Sequence, residues 1–153
     1  MHEFPVRVEW TGAGESGTGD RKAYTRDYDV LIEGKPAVAG SSAPAYKGDA
    51  SRHNPEDMLV AAVSACHMLW YLHLCAAAGI TVTAYADDAT GRLATHKDGS
   101  GEFEEVVLRP RVTLAPGADE AEAESLHARA SELCFIARSL SCPVRHDPVF
   151  ASA

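Results

Sequence analysis

The sequence predicts an α+β fold from three observations. Strand-like alternation brackets a long apolar run, that run opens on a strong helix-start signal, and no repeated strand-helix-strand alternation occurs along the chain. The 153 residues fit a single domain, 1–153, and suffice to bury a sizeable core. With 22 acidic residues against 14 Lys and Arg, the net charge of -8 repels a phosphate backbone and no basic cluster offsets it. Nucleic acid is therefore not an expected partner. MHEFPVRVEW shows no basic segment leading into an apolar run and a small-residue cleavage site, so no export signal is expected and the cytoplasm is the expected compartment.

The elements follow in order. Val6, Val8 and Trp10 alternate with Arg7 and Glu9 as in a strand, and GAGESGTGD (12–20) reads as a turn or loop. Residues 23–34, around YTRDYDVLIEG, return to extended character as one strand or two short ones. Residues 40–54 form a long irregular connection. Asn54, Pro55, Glu56 and Asp57 then combine a cap, a first-turn proline and acids at the positive end of the helix dipole, predicting a helix over 55–78 closed by Gly79. ITVTAYADDATGRL and FEEVVLRPRVTLAP alternate around the turn HKDGSGE, which predicts an antiparallel hairpin. Ala121, Leu126, Ala130, Leu133 and Ile136 predict a second helix over 119–141, and PVRHDPVF supplies a last short strand.

The first helix is long and apolar enough to raise the question of a membrane span. It contains Ser64, His67 and His73 and lacks flanking basic anchors, so burial by sheet and by another subunit is expected instead. Ala61, Ala62, Ser64 and Ala65 let another backbone approach closely. Cys66 and Cys75 point to opposite sides of a helix about 13 Å apart along its axis, so they cannot pair. A disulfide of Cys66 would have to be long-range, with Cys134 or Cys142. Cys66 and His67 diverge by about 100° and His67 and His73 by about 240°, which argues against a shared metal ion. No metal site is expected, and His67 and His73 read as interface residues with one hydrogen bond each.

NPEDMLVAAVSACHMLWYL resembles a segment of the OsmC/Ohr proteins, thiol-dependent peroxidases, with the Asn-Pro-Glu start and a cysteine ten residues after the Glu. HARASELCFIARS is similar to the segment carrying that family's second cysteine. The resemblance extends to the order of elements, and it is closer to an OsmC-like branch than to the best-studied peroxidases. It implies antiparallel sheets around a long central helix in an intertwined homodimer. It also implies that Cys66 is the peroxidatic thiolate and that Cys134 resolves its sulfenic acid as a disulfide. A lipoyl-type external dithiol would be the reductant, with no bound cofactor. Cys142, which precedes Pro143, is the alternative resolving residue. Glu56 would orient an arginine that lowers the thiol pKa. Arg26 is the first choice for that arginine and Arg21 the fallback. Glu56 lies about 15 Å before Cys66 along one helix, so either the arginine bridges much of that distance or the pair comes from a second subunit, and a two-fold dimer with composite sites is expected. Trp70 and Tyr71 would line an apolar pocket for the hydroperoxide. Two other functions remain open: a non-catalytic binder of an apolar small molecule at the dimer interface, and a hydrolase or transferase in which His67 or a histidine of the partner chain activates Cys66.

Overall fold

The helix-start signal is realised as written. In the computed structural model, which describes residues 1–152, Asn54 accepts from the Asp57 N–H at 2.8 Å and its amide donates to the Asp57 carboxylate at 2.7 Å. Helix α1 runs from there over Pro55–Ala77, and Gly79 follows in the left-handed conformation at φ 75°. The chain divides into two units, Met1–Met58 and Leu59–Ala153, described in turn.

The first unit is an antiparallel sheet of β1 (Arg7–Trp10), β2 (Tyr28–Leu31) and β3 (Val38–Gly40), in that spatial order. The predicted loop between β1 and β2 contains one 3-10 turn, Gly17–Gly19, and is tied down by the Trp10 indole N–H, which donates to the Thr25 carbonyl at 2.9 Å. Gly12 is required there, because a Cβ would stand 2.4 Å from that same carbonyl oxygen. After β3 the connection folds back through a second 3-10 turn, Pro44–Tyr46. His53 donates to the Ala39 carbonyl and Ser41 to the His53 carbonyl, which seats the start of α1 against β3.

In the second unit α1 continues, followed by β4 (Val82–Asp87), β5 (Thr90–Thr95), β6 (Gly101–Leu108), β7 (Pro110–Leu114), helix α2 (Glu120–Leu133), β8 (Val144–His146) and β9 (Val149–Ser152). The expected single hairpin is divided. β5 pairs with β6 across the predicted turn, but β4 pairs with β7 in a separate sheet. The break falls at Asp87 and Asp88, where the Asp87 carboxylate accepts from the Arg109 N–H at 2.6 Å and from Ser64 of α1 at 2.5 Å. The predicted last strand is two strands, and each joins its sheet in parallel, β8 on β6 and β9 on β7. Helix α2 is the crossover that a parallel pairing demands. Helix α2 itself stops at Leu133, eight residues short of the expected end, and a 3-10 turn, Ala137–Ser139, follows.

The two sheets bury one stripe of α1, Val63, His67, Tyr71 and Cys75, at four-residue spacing. Val63 packs with Val106 and Leu108; Tyr71 and Cys75 pack with Ile80, Val112, Leu114, Ala123 and Ala130. The expected burial of α1 on nearly all sides is not met within one chain. Ala61, Ala62, Ala65, Leu69 and His73 form an exposed stripe beside the buried one. Among the described residues α1 is the one helix with the length and apolarity of a membrane span, and its buried stripe is committed to these sheets.

Candidate active site

Two helices bring two thiols together. Cys66 sits half-buried in the middle of α1, and Cys134 closes α2, its backbone already extended at φ -66°, ψ 106°. The Cys66 thiol lies close enough to Cys134 to bear on its ionisation, and both are free. Burial pushes the Cys134 thiol up to about 11, and the Cys66 thiol beside it adds to the rise. The Ala137 N–H, donated to Cys134 Sγ at 3.4 Å, acts in the opposite direction. The early stop of α2 creates that contact, since the 3-10 turn after Cys134 folds Ala137 back onto the sulfur. Cys75 is fully buried, and burial raises its thiol. Cys142 is half-buried and packs toward Val63, Val106 and Leu108.

Trp70 and Tyr71 part company. Trp70 is half-buried, meets the exposed Phe135 edge to face at 5.7 Å, and with Leu69 and His73 lines a surface recess of about 270 Å³. Phe135 directly follows Cys134, so this apolar surface adjoins the thiol pair. Tyr71 does not line such a pocket: it is wholly buried and stacks on His127 with ring centroids 3.8 Å apart. The 100° turn between neighbouring helix positions sends it to the core.

The other expected site residues belong to the first unit. One carboxylate oxygen of Glu56 is buried without a hydrogen-bond partner among the described residues. The charge of Glu56 lies close enough to Tyr28 to add to the upward shift that burial causes in its phenol. Arg26 donates to the Tyr24 carbonyl at 3.4 Å, and its guanidinium lies 4.7 Å from the Tyr24 ring centre; Arg21 is exposed. Arg52 was not foreseen. Its guanidinium is held by Asp27 and Asp49 at 4.0 Å and Asp29 at 3.8 Å, and Nη1 is buried without a hydrogen-bond partner among the described residues. The one sequence signal is its position four residues before Glu56, where the packed end of the connection leads into α1.

A buried polar chain stands beside the thiols. His67, next to Cys66, joins its Nε2 to Nδ1 of His127 at 2.9 Å. Ser131 of α2 reaches Nδ1 of His67 at 3.5 Å and Nδ1 of His146 at 3.2 Å. His67 and His127 are 1% and 0% exposed, and their rings are parallel within 4°. The expected single-bonded interface histidine is therefore a doubly bonded core group at position 67. Nε2 of His127 has no hydrogen-bond partner among the described residues. That fact sets the direction of the chain, because a serine has one proton to donate and a buried bare acceptor is tolerated better than a buried orphan N–H. His127 donates to His67, His67 to Ser131, and Ser131 to His146, with tautomers assigned from the network.

Burial keeps both inner imidazoles neutral. His67 is pushed down to about 4, by burial first and then by His146, with Asp87 pulling the other way. His127 is pushed down to about 3, by burial and then by the two neighbouring imidazoles. Unfolded histidines take up protons near pH ~6.5, so between there and about 4 the unfolded chain binds protons that the folded chain refuses. This contribution to stability is intact above pH ~6.5 and is lost as the pH falls. Urea midpoints should drop steeply between pH 6.5 and 4.5 for the wild type and less steeply for His127→Leu, a comparison that cancels the carboxylates common to both.

The fold is shared with known proteins. The family model described as OsmC-like protein matches residues 48–148. No curated protein matches the chain. An OsmC-like protein of unknown function from Vibrio cholerae is 29% identical over 97% of this chain and 100% of its own, with a TM-score of 0.88. An organic hydroperoxide resistance protein from Legionella pneumophila is 16% identical over 99% of this chain and 98% of its own, at TM-score 0.71. One from Bacillus subtilis is 19% identical over 95% of this chain and 98% of its own, at 0.63. The match of the family model across the span that carries both Cys66 and Cys134 shows that the chain belongs to the OsmC-like family.

Proposed function

We propose that the protein is a cysteine-based peroxidase that reduces organic hydroperoxides to alcohols. The observation that carries this reading is the nearness of Cys66 and Cys134 as free thiols. The Cys66 thiolate attacks the distal oxygen of the hydroperoxide; the O–O bond breaks, a sulfenic acid forms, and the alkoxide leaves as the alcohol after taking a proton. Cys134 sulfur then attacks the Cys66 sulfur. The S–O bond breaks, hydroxide leaves as water with the Cys134 proton, and a disulfide remains for an external dithiol, lipoyl-type in this proposal, to reduce. No bound cofactor takes part. Two features favour this division of roles: the more accessible thiol is Cys66, and the buried Cys134 has its proton held by burial until a sulfenic acid forms beside it. The apolar surface of Leu69, Trp70 and Phe135 suits a hydrophobic hydroperoxide. A hydrolase or transferase with His67 as the base is disfavoured, because both ring nitrogens of His67 are engaged.

In the proposal, Glu56 and an arginine of the N-terminal unit promote the thiolate, with Arg26 as the residue expected from the sequence and Arg52 as its rival. The protein works as a homodimer in a reducing, cytoplasmic setting, and the second copy covers the exposed stripe of Ala61, Ala62, Ala65 and Leu69.

Treatment with an equimolar amount of cumene hydroperoxide should give a Cys66 to Cys134 disulfide by mass spectrometry, lost in Cys134→Ser and retained in Cys142→Ser; no sulfenic acid and no disulfide would end the peroxidase reading. Iodoacetamide should label Cys66 about tenfold more slowly in whichever of Arg26→Ala and Arg52→Ala removes the activating cation. If both variants react like the wild type, an activating arginine at either position is refuted. Sedimentation should give a dimer for the wild type and a monomer for Ala65→Arg; a monomeric wild type would refute the dimer.

A further inference from the structure

We infer that the His127, His67, Ser131 and His146 chain is a positioning device that holds α2 against α1 so that Cys134 stays within reach of Cys66. The inference rests on reading the two cysteines as a redox pair. Its geometry is local. His67 adjoins Cys66 on α1, and Ser131 lies one turn before Cys134 on α2. Each hydrogen bond of the chain that involves His67 crosses from α1 to α2. One crosses on each side of the imidazole, so a slide of either helix breaks at least one of them. In an apolar core such a break leaves a buried polar group without a partner, whereas apolar contacts tolerate small slips. Val63, Tyr71 and Cys75 on the same stripe supply burial without this directionality. His146 ties the outer end of the chain to strand β8. The device gives the thiols a fixed approach although Cys134 lies outside regular helix.

The consequence is a high effective concentration of Cys134 at Cys66. In a glutathione buffer the pair transfers two electrons and two thiol protons to glutathione disulfide, forming the protein disulfide and two molecules of glutathione, and the equilibrium constant reports that concentration. Substitutions at His127 test the hydrogen bond itself. His127→Asn puts an amide N–H near the position of Nδ1, which bonds His67. His127→Gln puts it near Nε2, which bonds nothing among the described residues.

The expected result is wild-type-like effective concentration in His127→Asn and a fall of about tenfold in His127→Gln and His127→Leu, the effect of one buried hydrogen bond. Circular dichroism checks that each variant folds. If His127→Leu does not fold, Ser131→Ala, which deletes one hydroxyl, carries the test with an expected fall of about threefold. The inference is overturned if all variants match the wild type, if His127→Asn falls as far as His127→Gln, or if the wild type forms no Cys66 to Cys134 disulfide in the buffer. Failure of cumene hydroperoxide to oxidise Cys66 would end the peroxidase reading while leaving this equilibrium measurable.

Discussion

The hydrogen bond between His67 and His127 governs what surrounds it. Two imidazoles with almost no exposure can be accommodated in an apolar core only as neutral, mutually satisfied groups. That requirement fixes the register of α1 on α2 to within the tolerance of a hydrogen bond, about a few tenths of an ångström. Tyr71 stacked on His127, Ser131 beneath His67 and Cys134 one turn farther along α2 are all placed by the same register.

Around this contact the fold separates tasks between elements. The parallel attachment of β8 and β9 makes α2 a crossover, which presses it onto the sheets and gives α1 a firm partner. The end of α2 at Leu133 frees the Ala137 N–H to face the Cys134 sulfur. Burial and this N–H oppose one another at Cys134: the first favours the thiol, the second the thiolate. In the proposed mechanism Cys134 would benefit from both, since a resolving cysteine must stay protonated while waiting and become an anion during attack. Asp87 plays a comparable part for the helix, because its carboxylate joins Ser64 of α1 to the backbone of Arg109 and forces the break between the two sheets.

Legibility in the sequence followed the range of the interactions. The start of α1 was readable because Asn54 and Asp57 interact within one turn, and its end because Gly79 alone tolerates φ 75° cheaply. The alternation from Val82 to Leu114 gave strands correctly but joined them wrongly, since pairing partners are chosen by contacts with distant elements such as Ser64. Helix α2 looked longer than it is because Ile136 continues the apolar period, while the fold diverts the backbone at Cys134. Tyr71 was misjudged as a pocket residue, as its direction depends on which stripe of α1 the sheets select. Arg52 and His146 carried almost no local signal.

By itself the sequence determined the α+β class, the caps and approximate length of the central helix, and the presence of a family-like cysteine in that helix. Those are matters of local propensity, periodicity and motif, which neighbouring residues encode. The tertiary structure alone decided that Cys66 and Cys134 come near each other, that His67, His127, Ser131 and His146 form one directed chain, and that Arg26 rests on Tyr24 while Arg52 gathers three carboxylates. Each joins side chains far apart in the chain, and their distances are set only when the helices and sheets bury their apolar faces together.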